Sequence, residues 1–346
     1  MAHVKKIKVE EAVGTIIVHD ITEVRLNREF KGRAFKKGHK ITSEDIPALL
    51  RLGKENLYVL EIDDDELHEN DAAVRLARGI AGKGIYFTDE VSEGKITFYA
   101  RYDGLLQVES DALEQLNLLG EVMCATRHTN TLVKKNDMVA GTRAIPLIIK
   151  TRVVEEAERI CAQAGTIIQA LPLQSLKVGL LITGNEVYKG RIQDGFEPII
   201  RKKIKKIGCQ VIKVIIAPDD EEMIADSIRD LLDAGAQVII TTGGMSVDPD
   251  DVTRQGIKKA GAKIEAYGSP VLPGAMFLVS YINGIPILGV PAAALYYTIT
   301  IFDLILPRIV AGERIGRAEI AKLGHGGFCI DCRKCIYPLC YFGKGS

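Results

Sequence analysis

The sequence predicts an α/β protein, a three-layer doubly wound and mostly parallel sheet, preceded by a mixed α+β N-terminal region. Three observations carry this. Short β-branched apolar runs recur at Lys177–Thr183, Cys209–Ala217 and Val238–Thr242, continuous rather than alternating, as in strands covered on both faces. Segments with helical spacing, Glu197–Ile207 and Met223–Ala234, lie between them and close at Gly208 and Gly235. Glycines stand at two strand ends, Gly184 and Gly243–Gly244, where the ligand crevice of an open parallel sheet lies.

The remaining elements follow in order. Ile7–Ile21 reads as a strand-rich start, and Arg33–Leu60 as a strand, a polar turn, a short helix from Ser43 to Leu52 and a second strand. Residues 83–95 read as an exposed hairpin, Lys95–Ala100 and Ala144–Lys150 as strands, and Arg152–Ala164 as a helix. Acids at Asp219, Asp220, Glu221 and Glu222 sit where the Met223–Ala234 helix begins, favourable to its dipole. Gly284–Pro291 is a strand, and Ala292–Ile309 an apolar helix that Pro307 kinks or ends. The expected domains are 1–175, mixed α+β; 176–312, the doubly wound unit; and 313–346, a cysteine-rich tail.

At 346 residues the chain is long enough for two or three domains and a full core. Lys plus Arg equals Asp plus Glu at 45 each, so overall charge offers no electrostatic case for nucleic acid or an anionic membrane surface. The first residues, MAHVKKIKVEEAVG, lack the apolar core of a signal peptide, and no window approaches the roughly 20 apolar residues of a membrane span. The reading is cytoplasmic, with no membrane and no nucleic-acid partner.

Two strand-end loops carry the chemistry. After Thr241–Thr242 come Gly243, Gly244 and Ser246, then Asp248, Asp250 and Asp251. The glycines let backbone amides approach a polar or anionic ligand, and the acids suit Mg²⁺ or polar ring nitrogens. Neither the Walker loop nor the Gly-x-Gly-x-x-Gly fingerprint is present. The second loop runs from Thr183–Gly184 through Glu186 to Asp194. Asp194, and Asp250 or Asp251, also fit a plainer role as helix caps. Carboxylates meeting in one crevice suit a divalent metal or general acid/base work.

Thr183-Gly184-Asn185-Glu186, Asp194, the Gly243–Val247 loop with Asp251, and Val271-Leu272-Pro273-Gly274 together resemble the molybdopterin-binding domain of molybdopterin molybdotransferases and gephyrin-like proteins. The likeness covers roughly 176–312, more loosely the N-terminal part. It implies a molybdenum cofactor biosynthesis protein that binds molybdopterin or its adenylated form and inserts molybdate with Mg²⁺, releasing AMP. Asp194, Glu186 and Asp251 then take the acidic catalytic positions. Thr183, Gly184, Gly243, Gly244, Ser246, Asp248, Pro273, Gly274 and Pro291 take the cofactor-binding ones, and relatives of this kind commonly form homo-oligomers. Several positions depart from the family pattern. Pro273-Gly274-Ala275-Met276 replaces Pro-Gly-Lys-Pro, Val290-Pro291-Ala292-Ala293-Ala294 replaces Leu-Pro-Gly-Asn-Pro, Asn185 replaces an aspartate, and Asp248 a glycine. The Ser-Ala-Met-Asp-Gly stretch of the molybdotransferases is absent. The missing lysine bears on catalysis more than on pterin binding, which keeps a second reading open: a non-catalytic cofactor carrier or maturation factor serving an acceptor molybdoenzyme.

Four of the seven cysteines, Cys329, Cys332, Cys335 and Cys340, fall within the last 18 residues at spacings x2, x2 and x4. Such steps suit a tetrahedral Zn²⁺ or an iron-sulfur cluster, against the plainer reading of free thiols in a loose tail. Cys124, Cys161 and Cys209 lie in apolar or helical surroundings and read as small core residues.

Overall fold

The computed structural model describes residues 4–24, 31–88, 90, 91, 93–245 and 252–344, and the chain divides into two compact units. In the first, the strand Val4–Lys8 pairs antiparallel with Asn56–Leu60, which also pairs with Ile16–Ile17. Leu49 of the helix Ile46–Arg51 joins Val9, Ile17, Leu57 and Val59 in a closed core over them. A four-stranded antiparallel sheet runs Val122–Thr126, Met138–Ala144, Lys95–Ala100, Ile85–Phe87. Its last pair is a hairpin, but not the exposed one expected within 83–95: Ile85–Phe87 pairs with Lys95–Ala100, Ile85 lies opposite Ala100, and both are buried. The expected strand Ala144–Lys150 is divided: Ala144 ends one strand, and Ile148–Lys150 pairs instead with Glu66–His68. Pro146 lies at the break and has no N–H for a ladder. The expected helix at 152–164 is Thr151–Ala164, against which Glu69–Ile80 packs.

The largest sheet of the second unit has six strands. In chain order its strands are β1 (Lys177–Thr183), β2 (Gln210–Ala217), β3 (Val238–Thr242), β4 (Lys263–Tyr267), β5 (Leu278–Ile282) and β6 (Ile285–Val290). Their order across the sheet is β2-β1-β3-β6-β5-β4. The first four are parallel neighbours, and β5 and β4 extend the sheet antiparallel, so "mostly parallel" describes it. The helices are α1 (Phe196–Lys206), α2 (Glu221–Asp233), α3 (Thr253–Lys259), α4 (Ile301–Val310) and α5 (Arg317–Lys322).

Alternation along the strands sorts these helices into two layers. Val178, Leu180, Ile182, Val238, Ile240, Leu288 and Val290 point to one face and pack with Ile200 and Ile204 of α1, Phe302 and Ile305 of α4 and Ile320 of α5. Leu181, Ile239 and Ile287 point to the other, against Ile224, Ile228 and Leu231 of α2 and Ile257 of α3. β1, β3 and β6 are therefore buried on both sides over most of their length, which is why their sequences read as apolar runs, whereas β2, at the edge of the sheet, is half-buried. On the second face α2 and α3 approach so closely that a Cβ at Gly256 would come 2.4 Å from Ile224 Cγ2.

The single apolar helix expected over Ala292–Ile309 is two pieces, a turn at Ala293–Tyr296 and α4. Extended backbone at Tyr297 and Thr300 separates them, and Thr300 caps α4: its hydroxyl accepts from Phe302 N–H while Asp303 accepts from Thr300 N–H at 2.8 Å. A capping box starts a helix more strongly than an apolar run continues one. Pro307 sits inside α4, buried.

Because Ile224 fills the α2–α3 interface, Ile224→Ala is expected to cost about 2–5 kcal/mol in the unfolding transition of this unit. Urea denaturation followed by circular dichroism measures it, and an unchanged midpoint would show that the two helices do not rest on this side chain.

Candidate functional site

The register of the sheet decides where the strand ends lie. Thr183 is opposite Ala217, Ile182 opposite Thr242, and Thr242 opposite Val290, so the four parallel strands stop at nearly one level. Past that level the chain continues as Gly184, Pro218, Gly243 and Pro291. The strand after β1 is laid on one side of it and the next on the other, so the crevice between β1 and β3 lies at the topological switch point.

Thr183 and Thr253 hold this edge together. The buried Thr183 hydroxyl lies 3.1 Å from the Thr242 carbonyl oxygen and 2.8 Å from the Thr253 hydroxyl. Gly243 and Gly244 have positive φ of 87° and 54°. A Cβ on Gly243 would stand 2.1 Å from the Thr183 carbonyl oxygen, and one on Gly244 2.2 Å from Thr253 Oγ1. The two glycines thus let the chain at Gly243–Gly244 lie flat on the end of β1, a reason internal to the fold. Among the described residues neither of their N–H groups has a hydrogen-bond partner. The buried hydroxyls of Thr241 and Thr242 likewise have none.

The loop after β1 is organised by carboxylates. Asp219 accepts from Asn185 N–H at 2.8 Å, so the loop after β2 fixes the turn after β1. Asp194 accepts from Phe196 N–H at 3.0 Å through one oxygen and from Glu197 N–H at 2.7 Å through the other. It caps α1, as the plainer reading holds. Glu186, on the one-turn helix Asn185–Tyr188, is exposed, and its carboxylate has no partner among the described residues. Gly195 comes against Leu295, which brings the Asp194 loop beside the segment following Pro291.

On the far side Tyr267 joins two loops, its hydroxyl donating to the Met245 carbonyl at 2.7 Å and lying 3.8 Å from Met276 Sδ. Pro273 and Gly274 precede Met276, and a Cβ on Gly274 would meet Ile301 Cγ2 at 2.7 Å. Ser246, Asp248 and Asp251 lie outside the described residues. Thr183, Gly184, Gly243 and Gly244 are therefore assembled in direct contact, with Glu186 and Asp194 on the adjoining loop. Sequence reasoning missed Thr253, Asp219 and Tyr267. Asp219 carried a signal, since it and Asp220 stand together after β2: Asp220 caps α2 through Met223 N–H, leaving Asp219 for Asn185.

Elsewhere, burial raises the thiols of Cys124 and Cys161 to about 12 and about 11, as befits small core residues. Cys209 is also buried. No helix among the described residues is long and apolar enough to cross a membrane.

Comparison with known proteins bears on residues 179–310, which match the model of the "Probable molybdopterin binding domain"; residues 6–61 match a domain of unknown function, DUF8806. A CinA-like protein of Thermosipho melanesiensis is 39% identical over 84 residues, 24% of this chain and 21% of that protein. The molybdopterin molybdenumtransferase of Synechococcus elongatus is 25% identical over 178 residues, 48% of this chain and 44% of that enzyme. The chain thus spans less than half the length of these relatives. The crystal structure of the molybdopterin biosynthesis enzyme MoaB from Thermus thermophilus superposes with a TM-score of 0.33 at 20% identity, over 40% of this chain and 98% of MoaB.

The site's internal joints are open to test. Thr253→Val, which keeps shape and loses the hydroxyl facing Thr183, is expected to cost about 1 kcal/mol. Gly243→Ala meets a backbone carbonyl at positive φ and is expected to cost about 1–3 kcal/mol. Thermal melts of the two variants measure this, and a smaller loss for Gly243→Ala than for Thr253→Val would refute the packing argument.

Proposed function

We propose that residues 179–310, which match the "Probable molybdopterin binding domain", act in molybdenum cofactor biosynthesis, and that the crevice between β1 and β3 binds molybdopterin, or its adenylated form, and assists molybdate insertion. The observation that carries this reading is the pair of N–H groups at Gly243 and Gly244, without partners among the described residues, at the strand-end switch point. Adjacent amides at positive φ form a concave, electropositive seat for an anionic or carbonyl-bearing ligand. Thr183 and Thr253 fix that seat, so binding does not have to order it.

Mg²⁺ belongs to the proposed reaction, and the acids present fit it in kind. Glu186 has a carboxylate without a partner among the described residues, Asp194 keeps lone pairs beyond its two cap bonds, and Asp251 is the third candidate. Bound there, the ion would neutralise phosphate charge as AMP leaves. Asp194 would orient its oxygens through the α1 amides, and Glu186 would be free to move onto the ligand.

A second reading is favoured by Ala275 and Met276, which stand where the family has a lysine and a proline. With no cation to grip molybdate there, the protein would hold the cofactor and pass it to an acceptor enzyme. The proposal includes a homo-oligomer and a cytoplasmic setting in either case.

Anaerobic protein supplied with adenylated molybdopterin and Mg²⁺ distinguishes the two. The insertase releases AMP only when molybdate is added; the carrier retains pterin and releases none. If Asp251 contacts the pterin or its metal, Asp251→Asn is expected to lower retained pterin or turnover about tenfold, the equivalent of one lost charged hydrogen bond, with little change in melting temperature. Unchanged binding with a melting loss would reduce Asp251 to a helix cap.

A further inference from the structure

The four cysteines near the C-terminus form a group apart from the pterin crevice. Cys329, Cys332, Cys335 and Cys340 all line one cavity of about 220 Å³, whose opposite wall includes Tyr297, Thr298 and Ile299. None is in a disulfide; Cys335 is exposed and the other three are half-buried.

The loop carrying them is fastened at both ends. Leu272 N–H donates to the Gly327 carbonyl and Cys329 N–H to the Leu272 carbonyl, each at 2.8 Å. At the other end Gly343 N–H donates to the Gly326 carbonyl at 3.0 Å, and Phe342 is buried in the core with Leu304 and Ile305. The cysteines are therefore displayed on a closed ring of backbone around a space, with Asp331 turning the chain at φ 50°. The loose-tail reading does not describe this segment.

Two observations separate the metals that thiolates favour. Around zinc, Zn–S bonds of about 2.3 Å in a tetrahedron bring the sulfurs to about 3.8 Å from one another. Here no three of the four sulfurs lie within 4.8 Å of each other; among the described residues only Asp63, Asp65 and Glu66 form such a group. The four cysteines line a cavity and do not converge on one point. The second observation is spacing. A structural zinc site pairs two separate Cys-x2-4-Cys knuckles, whereas Cys329, Cys332 and Cys335 make overlapping x2 steps that share the middle residue. Overlapping x2 steps, with a further cysteine from elsewhere, serve a cubane whose irons are ligated at separate corners.

We propose that Cys329, Cys332, Cys335 and Cys340 hold a [4Fe–4S] cluster, one thiolate on each iron. This assignment does not depend on the pterin reading. The cluster lies against the Tyr297–Ile299 segment that follows the Pro291 loop, and its loop is tied to Leu272, the residue before Pro273. Half-buried Tyr337 stands beside it.

The test is anaerobic ligand exchange with a preassembled [4Fe–4S] complex of a small thiol. Four cysteine thiols replace four small thiolates, each protein thiol giving its proton to the one that leaves, with no change in the oxidation state of iron. Full-length protein, stripped of metal and passed through a desalting column, is expected to retain about four iron and about four acid-labile sulfide per chain, with visible absorption that dithionite bleaches. Cys332→Ser/Cys335→Ser is expected to lose most of that iron, whereas Cys161→Ala, in the core, is expected to keep it. Circular dichroism of the metal-free double variant against metal-free parent protein separates ligand loss from misfolding. Retention of iron by a correctly folded double variant would overturn the proposal. So would a parent protein that takes up no sulfide while binding one zinc per chain.

Discussion

The carbonyl oxygen of Thr183 limits how close the loop after β3 can come to β1, and much of the site follows from it. At 2.1 Å from where a Cβ on Gly243 would be, it admits hydrogen and nothing larger. That demand, met by glycine, lays Gly243 and Gly244 against the strand end, with N–H groups that have no partner among the described residues. The parallel register then does the rest, because Thr242 is level with both Ile182 and Val290, so whatever rests on one strand end is beside the next. The hydroxyl pair of Thr183 and Thr253 completes the joint, and α3 begins at Thr253. One close approach thus couples a strand, a glycine loop and a helix.

Around this joint the carboxylates divide their labour. Asp194, Asp219 and Asp220 spend their oxygens on backbone N–H groups and so shape loops. Glu186 alone on the first loop is uncommitted among the described residues. A site whose acids are mostly engaged in architecture keeps its geometry with or without ligand, which suits recognition of a preformed cofactor. The absence of a lysine after Gly274 removes the complementary charge, and Met276 there serves instead to contact Tyr267, tying the Gly274 loop to the Met245 loop.

The sheet was legible where burial on two faces left a continuous apolar signature: the readings of β1 and β3 coincide with Lys177–Thr183 and Val238–Thr242. It was illegible at the antiparallel edge. β5 and β6 are joined by Asn283–Gly284, with φ 49° and 83°, a two-residue hairpin signal that the reading of an isolated Gly284–Pro291 strand passes over. The same limit applies across Ala292–Ile309, where composition favours one helix and a single threonine–aspartate pair, Thr300 and Asp303, starts a new one. In the site, residue types pointed to the strand ends, but contacts such as Thr183 with Thr253, 70 positions apart, depend on register and are not written in either local sequence. Much of the first unit was unreadable for the same reason, its strands pairing across short, weakly patterned segments such as Glu66–His68 with Ile148–Lys150.

The fastening of the cysteine loop has a thermodynamic corollary. In a zinc finger the metal must gather its own ligands from a disordered chain, and much of its binding energy is consumed in folding. Here the entropy of drawing residues 329 to 342 into a ring has already been met by the Leu272 bridge and by Phe342 in the core, interactions made by protein atoms alone. If the loop holds the proposed cluster, occupancy and folding are thereby uncoupled. The ring would then stand as a vessel that could be filled, emptied and refilled while the sheet beneath it keeps its shape.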